Sequence, residues 1–528
     1  MARTARYLLT GIALDPDAEL PLHRQVYAQL RAAILDGRLA PGVRLPSSRL
    51  FAHELGCARG TVLLAFDQLH AEGYLRSTGG SGTFVAEEVP DHLLSVRRRS
   101  KQRAASADRR PRLSVLAEKL LAAGGPRPSG GTPFATGQPA LGDFPHDIWA
   151  KLMAESWRSA GSGRLLALTA AGHPALREAI ADYLRGARGL DCRAEDVIVT
   201  SGTQQALNLV ARLVLDPGDR VWLEEPGYPA LRAILTAVGA AIEAVPVDRE
   251  GISVAAGRRI APRARLAVVA PSHQYPLGAV MSLPRRLELL RWAEEADAWI
   301  IEDDYDSEFR YRGRPLEPLR LLDESGRVIY LGTFSKVLFP GLRLGYLLAP
   351  PALGATLIRA IPLLEAPAAS VAQAALARFI AEGHFAAHLR RMRHLYAARQ
   401  AALIEAAQRH LGDMLTLAPD EAGMHLVGYP LAERARGFDD VALAEAAAGA
   451  GIVLAPLSRY YAGPARQSGF LFGYAGATPA AMEAAMLRLA EILKRELPKP
   501  EAASGAPPRD EAGEKHCEIR TTGTRRYR

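Results

Sequence analysis

Six short apolar runs recur between residues 196 and 348. They are Asp196-Val197-Ile198-Val199-Thr200, Arg220 to Glu224, Leu266 to Ala270, Ala298 to Ile301, Val328 to Leu331 and Leu344 to Leu348. Stretches with helical spacing lie between them, such as Gln204 to Leu215. Runs of four or five β-favouring residues with no polar face belong in a sheet covered on both sides. Alternation of such runs with helices restricts the fold to an α/β domain around a mostly parallel, buried sheet. From about residue 352 the chain becomes Ala-rich and helical, with short strands near Gly423 to Val427 and Gly469 to Tyr474. That change predicts a small C-terminal α+β subdomain.

The ends of these runs carry polar residues of particular kinds. Thr200-Ser201-Gly202-Thr203 joins a strand to a helix, where free backbone N–H groups and hydroxyls suit a phosphate. Tyr228, in Glu225-Pro226-Gly227-Tyr228-Pro229, follows the next run and can stack on a flat ring. Asp303 ends an apolar strand, where a lone acid needs a partner; facing a pyridine nitrogen, it would keep that nitrogen protonated. Lys336, in Gly332-Thr333-Phe334-Ser335-Lys336, is the only lysine between Lys151 and Lys494, in a chain that uses arginine for nearly all its positive charge. Arginine would serve a basic surface as well, but a guanidinium does not deprotonate to attack an aldehyde, whereas a desolvated amine does. Each feature alone is commonplace: an ordinary loop lysine, a helix cap, a common turn. In this order, with Lys336 33 positions after Asp303, they form a set.

The first fifth of the chain has a different organisation. Leu22, Val26, Leu30 and Ile34 recur every four residues, which predicts a helix with one apolar stripe. Leu45-Pro46-Ser47-Ser48-Arg49 reads as a capped start of a second helix that ends at Leu55-Gly56. A third begins near Ala58-Arg59-Gly60-Thr61, with Val62, Ala65, Phe66 and Leu69 facing inward. Tyr74 to Val85, with Gly79-Gly80-Ser81-Gly82 at its centre, reads as a β-hairpin. Three helices with a tight turn before the third, then a hairpin, make a winged helix-turn-helix whose third helix enters the major groove by its N-terminal end. Ser48, Arg49, Arg59, Gly60 and Thr61 would then meet double-stranded DNA, with Gly80, Ser81 and Gly82 of the wing close to its backbone.

Three segments resemble the GntR-type winged helix: Gly42-x-x-Leu45-Pro46-Ser47-Ser48-Arg49, Leu55-Gly56-x-x-Arg59-x-Thr61-Val62, and Glu72-Gly73-Tyr74-Leu75 before Gly80-Ser81-Gly82-Thr83-Phe84-Val85. Cys57-Ala58 departs from the family's aliphatic residue and Ser, which predicts the loss of a helix cap or a phosphate bond. Net charge is +8. Through Arg112 there are 17 Lys and Arg against 11 Asp and Glu, so most of the excess sits at this end.

The expected organisation is residues 15–88 as the DNA-binding domain, 89–131 as a basic flexible linker, 132–495 as the large domain and 496–528 as a disordered tail. The linker carries Arg97-Arg98-Arg99, Lys101, Arg103, Arg109, Arg110 and Arg112 against Asp108, with a short helix expected around Ser114 to Ala123. No apolar run is long enough to span a bilayer. Cys57, Cys192 and Cys517, widely spaced, give neither a disulfide framework nor a metal site. A cytoplasmic protein without a metal is the expectation.

Over roughly 360 residues the large module resembles the fold-type I, class I aminotransferase domain, and with the winged helix it is similar to the MocR subfamily of GntR-type regulators. Pro271-Ser272-His273-Gln274-Tyr275-Pro276-Leu277-Gly278 and Glu302-Asp303-Asp304-Tyr305-Asp306-Ser307-Glu308-Phe309 look like that subfamily. The resemblance implies pyridoxal 5′-phosphate as cofactor, joined to Lys336 as a Schiff base. It implies Asp303 on the pyridine nitrogen, Tyr305 on the phenolic oxygen and Tyr228 stacked on the ring. Gly202, Thr203, Thr333, Ser335 and Arg343 would hold the phosphate. It also implies a head-to-tail homodimer and a small-molecule effector: an amine, an amino acid or the cofactor itself.

Two positions depart from the working enzymes. Tyr275 stands where they have Asn, and Leu471 where they have the Arg that grips a substrate carboxylate, with Arg459 and Arg466 as alternatives nearby. The reading is a sensor rather than an enzyme, the alternative being an active aminotransferase that controls its own expression.

Overall fold

A computed structural model describes residues 12–78, 82–88, 112–123, 132–160, 169–313 and 316–497. The chain divides into two compact units between Arg112 and Leu113.

In the small unit, α1 (Leu22–Leu35), α2 (Ser48–Glu54) and α3 (Arg59–Ala71) precede a hairpin of β1 (Leu75–Thr78) and β2 (Gly82–Val85). Val26, Leu30 and Ile34 of α1 pack with Phe51 of α2 and Val62, Ala65, Phe66 and Leu69 of α3. The Ser47 hydroxyl accepts from the Leu50 N–H at 3.3 Å and caps α2. Gly56 follows the helix at φ +63°. Ala58 precedes α3 without a side-chain cap, as the Cys57-Ala58 departure predicted. The strands pair from Leu75↔Val85 to Thr78↔Gly82. Gly80 and Ser81, expected at the wing tip, lie outside the described residues.

The large unit opens with α4 (Val115–Ala123), α5 (His146–Ser159) and α6 (Pro174–Arg188). There follow β3 (Val197–Thr200), α7 (Thr203–Val214), β4 (Arg220–Glu225), α8 (Pro229–Ala237), β5 (Ala241–Asp248), β6 (Gly251–Ile252), α9 (Val254–Ile260), β7 (Leu266–Val269), α10 (Leu283–Ala296), β8 (Trp299–Asp304), β9 (Val328–Thr333) and β10 (Gly345–Leu348). These strands form one sheet in the order β3-β10-β9-β8-β7-β4-β5-β6. The sheet is mostly parallel, as expected; β10 and the short edge strand β6 are its two antiparallel members. β10 runs antiparallel to both β9 and β3, because it follows β9 through a turn at Pro340–Leu342 instead of a crossover helix.

Strand residues alternate between two apolar layers. Val221, Leu223, Leu266, Val268 and Ile301 meet α7, α8 and α11 (Pro351–Leu364) on one face. Trp222, Ala267, Val269 and Ile300 meet α9 and α10 on the other, where Trp222 and Trp292 stack with centroids 3.7 Å apart. The remaining elements are α12 (Ser370–Ala381), α13 (His384–Leu411), β11 (Leu415–Leu417), β12 (His425–Pro430), α14 (Ala432–Ala435), α15 (Asp440–Gly449), β13 (Ala455–Pro456), β14 (Phe470–Gly473) and α16 (Pro479–Glu496). They build the expected α+β subdomain around an antiparallel sheet ordered β11-β12-β14-β13. The helix expected in the linker exists as α4, which packs on α8. Of the expected tail, the residues from 498 onward lie outside the described residues. Among the described residues no helix is long and apolar enough to cross a membrane, and no acidic, His or Cys group could hold a metal ion.

Candidate functional site

β4, β7, β8 and β9 are parallel, and β3 shares their direction because both β3 and β9 oppose β10. Their C-terminal ends open on one edge, where sheets of this kind hold ligands. Gly202, Tyr228, Asp303 and Lys336 each end or follow one of these strands. Arg343, just before β10, arrives at the same edge. Thus the sequence-predicted cofactor residues share one edge of one sheet.

Strand parity turns Asp303 toward the α7 side and Glu302 and Asp304 to the other. On that other side Asp304 pairs with Arg188 and accepts from the Tyr330 hydroxyl, both buried. The Asp303 Oδ1 is buried and without a hydrogen-bond partner among the described atoms. Burial, then the charges of Asp304 and Asp306, push its carboxyl up to about 7, while Lys336 pulls the other way. An acid so placed fits a protonated ring nitrogen.

Lys336 follows β9 and its Nζ donates to the Gly137 carbonyl at 3.2 Å. Gly137 sits at φ +67°, a conformation that favours glycine, and a Cβ there would displace the Lys336 Nζ from where it lies. α7 begins after Gly202 with no side-chain cap, leaving a helix N-terminus suited to a phosphate. A Cβ on Gly345 would come within 3.0 Å of the Gly202 Cα, so the segment that follows Arg343 is held against this helix start. The Thr333 hydroxyl accepts from the Ser335 N–H at 3.1 Å and sets the turn ahead of Lys336. Orphaned carboxylate, recessed amine and uncapped helix start together fit pyridoxal phosphate.

The Tyr305 hydroxyl lies 3.1 Å from the His273 Nδ1. That nitrogen is also 3.0 Å from Asp306 Oδ2, and Nε2 is 3.4 Å from Asp420 Oδ2. Burial alone would drive the His273 imidazolium down; the Asp306 and Asp420 carboxylates outweigh it and hold it up at about 10. With Nδ1–H given to Asp306, the Tyr305 hydroxyl hydrogen is left for a ring oxygen.

Tyr275 joins several of these residues. Its hydroxyl meets Tyr460 at 3.0 Å and Thr136 at 3.3 Å. Its ring stands edge-on to Tyr228 (5.6 Å) and Tyr305 (5.9 Å). Leu471 is fully buried on β14 in a cluster with Leu457 and Tyr461, and Tyr275 and Tyr460 pack against that cluster. Arg459 bonds Glu445 at 3.0 Å instead of reaching inward, and Arg466 is exposed.

Sequence reasoning gave no role to Thr136, Gly137, His273, Asp420 or Tyr460. Only His273 lay in a quoted motif; the others come from stretches without a recognisable spacing.

In the small unit Arg49, Arg59 and Gly60 are exposed, with Ser48 and Thr61 half-buried beside them. The Arg59 Nε donates to the Ser48 hydroxyl at 3.3 Å, joining the starts of α2 and α3. Arg44, not singled out from sequence, bridges to Phe84 of the wing, and its Nε would lie 2.8 Å from a Cβ on Gly82.

Residues 130–489 match the family model "Aminotransferase class I and II", and residues 22–85 match "Bacterial regulatory proteins, gntR family". The chain is similar to the probable rhizopine catabolism regulatory protein MocR of Rhizobium meliloti, at 44% identity over 89% of this chain and 93% of the relative. It is similar to the pyridoxine biosynthesis transcriptional regulator PdxR of Corynebacterium glutamicum, at 34% identity over 88% and 94%. Among solved structures, the Pyrococcus horikoshii kynurenine aminotransferase, in complex with PMP, superposes with a TM-score of 0.63 at 28% identity, covering 77% of this chain and all of that one.

Proposed function

The chain belongs to the MocR-type regulators of the GntR family, with a winged helix and a pyridoxal-phosphate-binding aminotransferase-like domain, and from that footing we propose that it is a transcriptional regulator whose large domain senses a small amine-bearing effector. The observation that carries this reading is an intact Lys336–Asp303 set at the main sheet's edge together with Leu471, on β14 of the subdomain, at the position where an enzyme grips a carboxylate.

In this proposal the cofactor supplies an aldehyde that captures amines and a ring that draws electrons once its nitrogen is protonated. Lys336 provides the amine, steered by the Gly137 carbonyl. Asp303 keeps the proton on the ring nitrogen. The Tyr305 hydroxyl, oriented by His273, donates to the phenolic oxygen, and Tyr228 covers the ring. Gly202 and Thr203 at the α7 start, with Thr333, Ser335 and Arg343, hold the phosphate. Without a bidentate Arg to fix a substrate carboxylate, orientation for fast turnover is lost.

Effector binding must favour one packing of the domain to change DNA affinity. The proposed route runs through α8. Tyr228 precedes α8 directly; the Arg232 guanidinium on α8 donates to the Tyr460 and Tyr461 carbonyls; and α4, which begins three residues after Arg112, packs on α8. The DNA-reading surface is assigned to Ser48, Arg49, Arg59, Gly60, Thr61 and the wing from Gly80 to Gly82, in a cytoplasmic head-to-tail dimer. Residues 15–88, 89–131, 132–495 and 496–528 act as reader, linker, sensor and tail.

The intact Lys336–Asp303 set also supports a second reading, an active aminotransferase. An absorbance titration of the protein with amines and amino acids, without a keto acid, tests the two. A cofactor band that shifts and persists supports the sensor. A band that bleaches and returns when a keto acid is added means turnover, and the sensor reading falls.

A further inference from the structure

Resting on the reading of the small unit as a DNA reader, we propose that α3 recognises thymine C5-methyl groups in the major groove through Leu63 and Leu64. Residues three, four and seven apart share one face of a helix. Gly60, Leu63, Leu64 and Asp67 therefore line up on α3, opposite the buried Val62, Ala65, Phe66 and Leu69. The two leucines are 38% and 57% exposed, and neither belongs to the apolar cluster that holds the unit together. A Cβ built on Gly60 would meet nothing within 4 Å, so packing does not require glycine there, although glycine is a poor helix former. The helix also starts without a side-chain cap. This face thus keeps a glycine and two exposed leucines that the unit's own packing does not use.

The charges around this face decide which partner it meets. Arg49 and Arg59 are exposed, and the Arg59–Ser48 bond joins the starts of α2 and α3, so these cations lie at the leading end of the leucine face. Cations at the margin and aliphatic side chains behind them match a major groove, with phosphates on its walls and base edges on its floor. Asp67, exposed one turn beyond the leucines, would be repelled by a phosphate, so the face lies on base edges and not along the backbone. In this groove Arg or Lys meets the guanine edge and Asn or Gln the adenine edge, whereas an apolar side chain meets the thymine methyl. The face made by Gly60, Leu63, Leu64 and Asp67 offers only the last of these contacts. Gly60, with no side chain, lets the helix approach closely enough for the leucines to bury the methyl groups.

The test uses the full chain with its cofactor. Duplexes that it retains are enriched from a random library, and each thymine of the enriched sequence is replaced in turn by deoxyuridine, which removes only the C5-methyl. Affinity, read by anisotropy, is expected to fall about 4-fold at one or more of these thymines, as for the loss of one buried methyl group. Leu63→Ala and Leu64→Ala, both at exposed positions, should keep the fold and bind thymine and deoxyuridine equally at the base each leucine meets. Gly60→Ala should leave the thermal midpoint unchanged or raised while weakening the enriched sequence. An enriched sequence that tolerates every deoxyuridine overturns the inference and leaves the leucines to a protein partner, while the DNA reading stands. Discrimination that survives both leucine variants overturns it as well, and so does a loss shared by all sequences, which would place the face on the backbone. If no duplex is retained, the DNA reading falls and the inference with it.

Discussion

The Nδ1 of His273 stands 3.0 Å from the Asp306 carboxylate, with both side chains buried. Asp420, which faces the other ring nitrogen, comes from the loop between β11 and β12 of the C-terminal subdomain, so one imidazolium ties that subdomain to the main sheet. Replacing it leaves two carboxylates without their cation. His273→Gln is expected to cost about 3 kcal/mol of stability at pH 7 in urea unfolding.

The same group sets a pH dependence. Its folded pKa, about 10, lies above the ordinary 6.5, so its contribution is fully present below pH 6.5 and is lost as pH rises through 10. The native chain should lose stability across that window and His273→Gln should lose less. The groups facing it, Asp306, Asp420, Tyr305 and His425, are unchanged in the comparison. Equal slopes would dismiss the imidazolium clamp.

Gly137→Ala puts a methyl group where the Lys336 Nζ lies, at a backbone angle of φ +67° that alanine resists. Cofactor affinity is expected to fall at least ~10-fold, with the far-ultraviolet circular dichroism unchanged. Full reconstitution at the native concentration of pyridoxal phosphate would contradict the role given to this glycine.

Asp303 carries a proton up to about pH 7 in the free domain, yet only its carboxylate stabilises a protonated ring nitrogen. Cofactor affinity should therefore rise between pH 6 and pH 8 faster than the cofactor's own titration accounts for. Asp303→Asn should bind more weakly and lack that extra slope, as equilibrium dialysis at several pH values would show.

On DNA, Arg59→Ala removes the guanidinium that joins Ser48 at the starts of α2 and α3. If that guanidinium neutralises a phosphate, its removal lowers the slope of log affinity against log salt by about 1 and weakens every sequence alike. Weakening confined to one sequence would mean that Arg59 reads a base edge. Arg44→Ala, against the wing at Gly82, is expected to show the phosphate pattern too.

The strand ends at which the proposed cofactor residues lie were legible because each closes a buried run. Asp303, Lys336 and Gly202 announce themselves by polar chemistry where an apolar strand stops. β8 extends to Asp304, beyond the apolar Ala298 to Ile301, because Glu302 and Asp304 are paired on the far face of the sheet rather than solvated in a loop. β5 escaped notice because most of its residues are only half-buried and Pro246 interrupts it. Leu471 was legible as a departure, but the hydroxyl cluster that accompanies it was not. Thr136 and Tyr460 meet Tyr275 from segments 139 residues before it and 185 after it, and no local periodicity encodes such a meeting.

Those separations bear on when in its synthesis the protein becomes competent. The groove for Lys336 is floored by Gly137, in a segment anchored where the Gly473 N–H donates to the Phe134 carbonyl at 2.9 Å. Phe134 leaves the ribosome long before Gly473, and Tyr460, which meets Tyr275, emerges near the end as well. A growing chain that already holds Asp303 and Lys336 still lacks that anchor and Tyr460. The winged helix, made first and packed on its own apolar cluster, needs none of these partners. Translation thus delivers the winged helix before the domain proposed to sense an effector, and on that proposal a truncated product would bind DNA without responding to one.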